Sequence, residues 1–415
     1  MKARRDGQIV ARGERKWLVR WYVGEGSDGK RRYKAKLIHG TKKDAQTKLN
    51  EVLRSRDLGT YVEPTKLTVD AYLDRWLKDG LHSCSPRTRE GYRWLAERYL
   101  RPRLGAIRLD QLSPLDVQTI VSRMVEGGYS PRTIRMALAV LRQALRQAVR
   151  WRLVARSAAD DVELPKRAAG EMRALSAEQA RALRVAARDR VEDARLEAEH
   201  AATRRKRTEA LAEAARRAQA VVLFDVLLTT GLRPGEALAL RWRDLDLEAG
   251  QLAVRQALTF DVATDEKGQR HHVPALREPK TAGSRRLLPI GPALISSLKT
   301  HRAGQAERAM KLGDSYDRSL DLVFANEAGR PLAERNLVQR YFAPAVAKAK
   351  LGPSLRLYDL RHTCATQLLA GGAHVKAVSE RLGHSSAKMT LDVYAHVLPG
   401  EQEKATALLE TALLC

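Results

Sequence analysis

Apolar and polar positions alternate in short runs near the start of the chain, and a helical pattern follows them. Lys16–Val23 is rich in strand-forming side chains, and Lys30–Ile38 is the expected returning strand after a Ser-Asp-Gly turn signal. A helix is predicted from an N-cap at Thr41 to about Asp57. Gly and Pro between residues 58 and 66 indicate a linker. Residues 1–60 are therefore predicted to form a small sheet-plus-helix unit.

Residues 67–165 have the apolar periodicity of helices throughout. An early helix is expected near Thr68, and three more begin with a serine N-cap followed by proline at the first helical position. These pairs are Ser85-Pro86, Ser113-Pro114 and Ser130-Pro131. The last helix is predicted to run to about Trp151. Its buried stripe is predicted to be Ile134, Leu138, Leu141 and Leu145.

A second linker is expected at Val162–Arg173, and Ser176 with Gln179 forms a capping box for the next helix. Opposite charges interleave from about residue 189 to 217, which predicts a long solvated helix or helix pair outside the core. Beyond it the chain mixes strands and helices. Strands are expected at Gln251–Leu258 and about Arg286–Ile290, and helices resume near Leu332.

The charge balance points to a polyanionic partner. The 415 residues include 75 Lys and Arg against 49 Asp and Glu, a formal net charge of +26. Residues 1–60 alone hold 17 Lys and Arg against 7 Asp and Glu. Such a field favours nucleic acid, and a membrane surface is the weaker alternative because no basic amphipathic helix with aromatic anchors stands out. Part of the arginine excess is also what a GC-rich genome would produce.

Other classes of protein are disfavoured by what the sequence contains. Its apolar runs are shorter than the roughly 18 residues that span a bilayer, and its first residues do not resemble a secretory signal. Cys84, Cys364 and Cys415 lie far apart, which fits neither a disulfide framework nor a zinc site. A cytoplasmic protein is the expectation.

Two basic rows are candidate DNA contacts. Lys30, Arg32, Lys34 and Lys36 alternate along the predicted second strand and so share one of its faces. Arg135, Arg142 and Arg146 are spaced to line one face of the helix after Ser130. Each row is also compatible with an ordinary solvated face.

The candidate chemistry lies in the last 200 residues of the chain. The segments are Thr229–Leu238, Pro279–Arg286, Tyr358–Thr363 and Leu382–Ser386, the last followed by Met389–His396. Alone, each arginine, lysine or tyrosine in them is an ordinary surface or core residue. Their joint order resembles the tyrosine recombinases, in particular integrases of phages and mobile elements. That family combines Arg, Lys, His-x-x-Arg, His and Tyr in one catalytic domain.

The resemblance covers nearly the whole chain and implies a multidomain, mainly α fold. Residues 1–60 would be an arm-type DNA-binding domain of three strands and a helix, and residues 67–165 a helical, SAM-like core-binding domain. Residues 173–415 would be a mixed α+β, mostly helical catalytic domain, with the charged stretch at about 189–217 as an insertion. The implied activity is site-specific recombination. DNA strands would be cut and rejoined through a covalent 3′-phosphotyrosyl intermediate, which integrates or excises a mobile element.

Family roles carry over to matching residues, and the chemistry suits each type. Tyr394 would be the nucleophile, although a free phenol with a pKa near 10 needs activation. Arg233 and Arg361 would clamp the phosphate bidentately, because guanidinium forks match its oxygens. Glu236, three residues after Arg233 on the same helical face, would hold the Arg233 guanidinium in position through its carboxylate. No metal or organic cofactor is implied.

The remaining roles fall to a lysine and a histidine. Lys280 would be the general acid for the departing 5′-oxygen, and His384 would donate to the phosphate or manage the nucleophile's proton. His362 and His396 are interpreted as structural histidines. His271, His272 and Cys364 have no further ligands at metal-binding spacing.

The chain departs from the family pattern at Tyr358, which stands where the family has the histidine of His-x-x-Arg. A tyrosine donates a hydrogen bond but carries no positive charge. Tyr358 is therefore predicted to act as a neutral donor to the phosphate, and Tyr394 remains the predicted nucleophile.

The expected partner is double-stranded DNA, with separate core and arm sites, and the expected assembly is a homotetramer on DNA. An excisionase or a host DNA-bending protein is a further candidate partner, no membrane is expected, and the location would be the nucleoid. Two alternatives stay open. One is a DNA-relaxing enzyme like the type IB topoisomerases, and the other is a non-catalytic DNA-binding regulator.

Overall fold

A computed structural model of the chain defines the architecture. It describes residues 7–25, 29–58, 61–62, 65–166, 173–266, 268–279 and 282–394, together with 406, 409–411 and 413. The chain divides into two compact units, residues 1–169 and residues 170–415. The predicted general acid Lys280 and the residues that follow Tyr394 up to 405, including His396, lie outside the described part.

The first unit begins with a three-stranded antiparallel sheet and a helix. Strands β1 (Gly7–Gly13), β2 (Lys16–Glu25) and β3 (Arg31–His39) pair in that order, and α1 spans Lys42–Asp57. Thr41 caps α1 through a capping box with Asp44, which confirms the predicted helix. The sheet and α1 share a small apolar core. Strand β1 has too weak an apolar pattern to be found from periodicity alone.

The rest of the first unit is helical, as predicted. Its helices are α2 (Val69–Asp79), α3 (Pro86–Leu95), α4 (Arg101–Leu104), α5 (Pro114–Glu126) and α6 (Pro131–Arg150), with a π-helical turn at Ala96–Leu100 between α3 and α4. Thr68 and the predicted serines cap their helices through hydrogen bonds to the third residue of each helix. The predicted apolar stripe of α6 is buried in a core separate from that of the sheet.

A long helical hairpin opens the second unit. Helices α7 (Ala177–Glu199) and α8 (Arg204–Thr230) pack side by side, and Ser176 begins α7 with the predicted capping box. The prediction of a helix pair at 189–217 is confirmed, but its placement wholly outside the core is wrong. Val191 and several alanines of α7 are buried, because alanine lets two helices approach closely despite the charges on either side.

Small antiparallel sheets separate the helices of the second unit. Strands β4 (Leu245–Asp246), β5 (Gln251–Val254) and β8 (Arg286–Pro289) form one sheet in the order β4-β5-β8, and β6 (Ala257–Thr264) pairs with β7 (Arg270–Arg277) as a hairpin. The predicted strand Gln251–Leu258 is in fact divided at residues 255–256. The hairpin was not predicted, because its strands mix polar and charged residues on both faces.

Helices complete the second unit around the buried second half of α8. They are α9 (Pro234–Leu238), α10 (Pro292–Leu312), α11 (Glu334–Leu337), a π-helical turn (Val338–Phe342), α12 (Ala343–Lys348), α13 (Asp359–Ala370), α14 (Val375–Leu382) and α15 (Ala387–Tyr394). The fold is thus mainly helical with small antiparallel sheets, which confirms the predicted class. Within the described ranges, no helix is long and apolar enough to cross a membrane.

Candidate active site

The first candidate arginine lies where the longest helix of the chain ends. Gly231 caps α8 with a φ of 67°, and a Cβ there would meet Leu382 Cδ2 at 2.7 Å. This turn places Arg233 at the start of α9. Glu236 Oε1 accepts from Arg233 Nη1 at 2.7 Å, and Glu236 Oε2 accepts from the Arg233 backbone N–H at 3.1 Å. The Arg233 side chain remains 35% exposed, so its fork is fixed while one edge faces solvent.

A second arginine, which the sequence analysis did not single out, holds the same carboxylate. Arg286 Nη2 donates to Glu236 Oε2 at 2.9 Å, and Arg286 Nε donates to the Arg381 carbonyl at 2.6 Å. Arg286 Nη1 also donates to the Ser284 carbonyl at 3.0 Å. Burial by itself would raise the pKa of Glu236, but Arg286 and Arg233 outweigh it and lower that pKa. Glu236 therefore stays ionised between two guanidiniums.

Arg361 is the most buried charge of the site. It projects from α13 and is 1% exposed. Its Nη1 donates to the Gly231 carbonyl and its Nη2 to the Leu382 carbonyl, both at 2.7 Å. Burial and the nearby Arg233 lower the pKa of Arg361 to about 10, so it remains charged at neutral pH. Both of these acceptors are neutral, so neither compensates the fixed positive charge that Arg361 holds close to Arg233.

His384 follows the left-handed C-cap of α14. That cap is Gly383, with a φ of 67°, where a Cβ would meet Arg286 Nη1 at 2.8 Å. His384 Nδ1 lies 2.8 Å from the hydroxyl of the fully buried Thr390. Burial lowers the pKa of His384 to about 4, and the surrounding arginines contribute in the same direction. The ring is neutral at pH 7, and when Thr390 donates to Nδ1 the ring proton is on Nε2.

The candidate nucleophile is the last residue of α15. Tyr394 is 1% exposed, and its hydroxyl lies 2.7 Å from His362 Nδ1. Burial raises the pKa of Tyr394 above that of a free phenol and lowers the pKa of His362. Nothing in the sequence argued against the interpretation of His362 as a structural histidine. The contact with Tyr394 appears only when α13 and α15 are folded together.

Tyr358 stands one helical turn before His362. Its ring lies edge-on to the His362 ring at a centroid distance of 5.2 Å, and the residue is 38% exposed. It lines a cleft of about 570 Å³ together with Arg233, Glu236 and His384. Pro279 and Ser284, which stand on either side of Lys280 in the sequence, also line this cleft. Arg361 and Tyr394 are buried and are not among the described residues that line it, but the carbonyls that hold Arg361 lie two residues before Arg233 and His384.

The predicted basic row of the first unit occupies an unexpected face of its sheet. Lys34 pairs with Trp21 and Lys36 pairs with Val19, and directly paired residues share a face. Trp21 and Val19 are buried in the core shared with α1, so the row lies on the helix side of the sheet, along the outer strand β3. Lys30, Arg32, Lys34 and Lys36 are nevertheless exposed to solvent.

The predicted arginine stripe on α6 has a structural role that the sequence did not indicate. Arg135 donates to the Pro165 carbonyl, and Arg142 donates to the carbonyls of Ala159 and Val162. Arg146 pairs with Asp160. These contacts hold the segment that follows α6, so contact of the same side chains with DNA stays a prediction.

Comparison with known proteins defines the class of this enzyme. Residues 202–401 match the model of the phage integrase family, and residues 68–125 match that of the N-terminal SAM-like domain of phage integrases. Together these matches cover more than half of the chain. The protein belongs to the phage integrase family of tyrosine recombinases, enzymes that cut and rejoin DNA.

Individual relatives extend this similarity along the chain. A tyrosine recombinase XerC-like protein of Caldanaerobacter subterraneus is 27% identical over 96% of this chain and 97% of its own length. The ICEBs1 integrase of Bacillus subtilis is 31% identical over 46% of this chain and 48% of its own. Among solved structures, a Tn1549 transposon integrase in complex with circular intermediate DNA has a TM-score of 0.60 and 19% identity, covering 83% of this chain and 99% of that one. The likeness to the solved structure is one of fold.

Proposed function

We propose that this protein is the integrase of a mobile genetic element and that Tyr394 forms its covalent link to DNA. One observation carries the proposal. Arg233 and His384 line one cleft of the second unit, although they lie about 150 residues apart in the chain. Arg361 is bound to the backbone two residues before each of them, and Tyr394 contacts His362, the residue after Arg361. A phosphate in that cleft would meet the Arg233 guanidinium and a neutral imidazole donor, with the buried charge of Arg361 close to Arg233.

The Tyr394 phenol gives up its proton to a basic group of the site as its oxygen attacks the phosphorus, the bond to the 5′-oxygen breaks, and a 3′-phosphotyrosyl linkage forms. Negative charge that grows on the non-bridging oxygens falls between Arg233 and Arg361. The departing 5′-oxygen takes a proton from Lys280, which we propose as the general acid because Pro279 and Ser284, on either side of it in the sequence, line the cleft. Rejoining is the reverse sequence with a new 5′-hydroxyl.

Tyr358 is proposed as a further hydrogen-bond donor to the phosphate. It lines the cleft beside Arg233 and His384, and its exposure leaves its hydroxyl within reach of a bound ligand. The donor would be neutral, so the positive charge of this site would come from the arginines and from Lys280.

Both parts of the first unit are proposed to bind DNA without taking part in the chemistry. Residues 1–60 would bind arm sites, and residues 67–165 with residues 173–415 would bind the core site. A homotetramer on DNA is proposed because a lambda integrase tetramer bound to a Holliday junction has a TM-score of 0.52 to this chain, at 15% identity over 95% of it. An excisionase or host DNA-bending protein would set the direction. Such a complex would work in the bacterial cytoplasm on nucleoid DNA.

A nicked core-site substrate tests the proposal. Loss of the short fragment beyond the nick would prevent rejoining, so the protein would accumulate as a covalent adduct. Peptide mapping should place the nucleotide on Tyr394, and Tyr394→Phe should bind the same DNA without forming an adduct. An adduct on another residue would refute the assignment. Absence of any adduct on a proven attachment site would favour the non-catalytic regulator.

A further inference from the structure

The hydrogen bond between His362 and Tyr394 concerns a residue to which the mechanism above gives no part. Nδ1 of His362 and the Tyr394 hydroxyl are 2.7 Å apart, with ring centroids 5.8 Å apart. Tyr394 carries its proton at neutral pH, since burial raises its pKa, and needs an acceptor before it can attack. Within the described residues, the only short polar contact of its hydroxyl is with this imidazole nitrogen.

His384 is the other histidine of the site, and its geometry suits a different task. Its Nδ1 is engaged by Thr390, while its ring borders the cleft next to Arg233. It is thus placed to donate to a phosphate in the cleft. His362 instead contacts the Tyr358 ring edge-on and lies next to the buried Tyr394.

The surroundings of His362 keep its nitrogen unprotonated. Burial lowers its pKa first of all, Asp359 opposes this, and Arg356 and Arg361 lower it further. The titratable and charged groups that face it are Tyr358, Asp359, Arg356 and Arg361 on or near α13, Tyr394 on α15 and His384 beyond α14. A neutral ring can accept a proton, whereas an imidazolium cannot.

We infer that His362 is the general base that takes the phenolic proton of Tyr394 during strand cleavage. This inference rests on the proposed nucleophile. As the Tyr394 oxygen bonds to phosphorus, its proton moves to His362 Nδ1, and the ring, which holds its other proton on Nε2, becomes an imidazolium. During rejoining the tyrosine oxygen leaves phosphorus and recovers the proton from the same nitrogen. Each cycle therefore restores the neutral ring.

The most direct variant is His362→Asn. The side-chain oxygen of asparagine lies near the position of Nδ1, so it can accept the Tyr394 hydrogen bond but cannot take up the proton. Single-turnover cleavage of a nicked core site should fall by about a hundredfold, within the range of general-base contributions. His200→Asn is the matched control, because His200 lies at the turn between α7 and α8 with Nδ1 on the Leu196 carbonyl of its own helix. It should cleave within twofold of the unaltered protein.

Two readouts separate a base from a purely structural contact. Cleavage by the unaltered protein should fall as His362 becomes protonated at acid pH, and this acid limb should be absent from His362→Asn. Fluorotyrosine at position 394, a phenol that ionises more readily, should restore a large part of the activity of His362→Asn. If His362→Asn does not fold, as judged by thermal unfolding, His362→Gln enters the same comparison.

Several results would overturn the inference. Cleavage by the His362 variant within twofold of the unaltered protein would do so, and so would faster cleavage, which would mean that His362 restrains the tyrosine. A slow variant with no rescue by fluorotyrosine and an unchanged acid limb would make the contact structural. The parallel Tyr394→Phe reaction keeps the two proposals apart. If it lacks an adduct while His362→Asn is fully active, the nucleophile stands and only the base is refuted.

Discussion

The two units of the chain use the same kinds of cationic side chain in opposite environments. Arg361 and Arg286 of the second unit are almost wholly buried, and each donates hydrogen bonds to backbone carbonyls. Lys34 and Lys36 of the first unit lie exposed along the outer strand of a sheet. Buried and fixed cations need no reorganisation when charge develops beside them, whereas exposed cations are screened by salt. The contrast predicts that the second unit determines the rate of cleavage and the first unit contributes affinity.

The largest effect is expected from Arg361→Ala. It removes a fixed charge from the floor of the site, and single-turnover cleavage should fall by at least about a thousandfold, as expected when strong electrostatic stabilisation of the transition state is removed. The variant should also be less stable. The carbonyls of Gly231 and Leu382 lose their donor, at a cost of roughly 1–3 kcal/mol for each unsatisfied group. Denaturant unfolding measures the loss of stability. An unaltered cleavage rate would contradict the prediction that the buried cations of the second unit determine the rate.

Arg286→Lys should have the next largest effect. A lysine can keep one of the hydrogen bonds to Glu236, Arg381 and Ser284 but not all of them, so Arg233 would lose part of its support. We expect cleavage to slow by roughly ten- to a hundredfold, the equivalent of one charged hydrogen bond, with little change in DNA binding. Arg285→Lys is the control, because the neighbouring Arg285 is exposed and pairs with Glu278. Equal cleavage rates of the two variants would contradict the role of Arg286 in positioning Arg233 through Glu236.

A smaller effect is expected from Tyr358→Phe. Loss of one hydrogen bond to a charged group costs about 1.5–3 kcal/mol, or roughly ten- to a hundredfold in rate, and the exposure of Tyr358 favours the lower part of that range. Tyr358→His should retain activity. A Tyr358→Phe rate within twofold of the unaltered protein would end the donor hypothesis and leave Tyr358 only its packing on His362.

The double variant Lys34→Gln and Lys36→Gln should leave core-site cleavage within twofold of the unaltered protein. Its arm-site binding should weaken, and the salt dependence of that binding should decrease by about one unit for each DNA phosphate that a lysine no longer neutralises. Arg20→Gln sharpens the test, because Arg20 pairs with Ala35 and stacks on Tyr33, on the sheet face away from α1. A larger decrease in affinity from Arg20→Gln would identify that open face as the DNA-binding surface.

Local sequence signals predicted the elements well. Serine and threonine caps with proline or a capping-box partner fixed most predicted helix starts, because capping depends on only a few neighbouring residues. The hairpin of β6 and β7 and the buried alanine seam of α7 were missed, since tertiary packing decides them. The motif pattern predicts that Arg233, Arg361, His384 and Tyr394 share one site, which stays a prediction, and in the fold Arg361 contacts the backbone next to Arg233 and His384.

Residues that act through other side chains could not be found in this way. Arg286 was one of several basic residues after Pro279, and only its burial against Glu236 distinguishes it from the exposed Arg285. The role of His362 could not be found from the sequence for the same reason, because its contact with Tyr394 joins two segments that lie about 30 residues apart in the chain. No local sequence pattern indicates either contact.

The most direct test of the separation between rate and affinity compares Arg233→Lys with the Lys34→Gln and Lys36→Gln double variant on one DNA that carries a core site and arm sites. Cleavage is measured at saturating protein, and binding is measured across salt concentrations. The account predicts that Arg233→Lys binds normally but cleaves about a hundredfold or more slowly, because a lysine replaces the clamp. The double variant should cleave normally and bind with a reduced salt dependence. Slow cleavage by the double variant at saturation, or normal cleavage by Arg233→Lys, would contradict it.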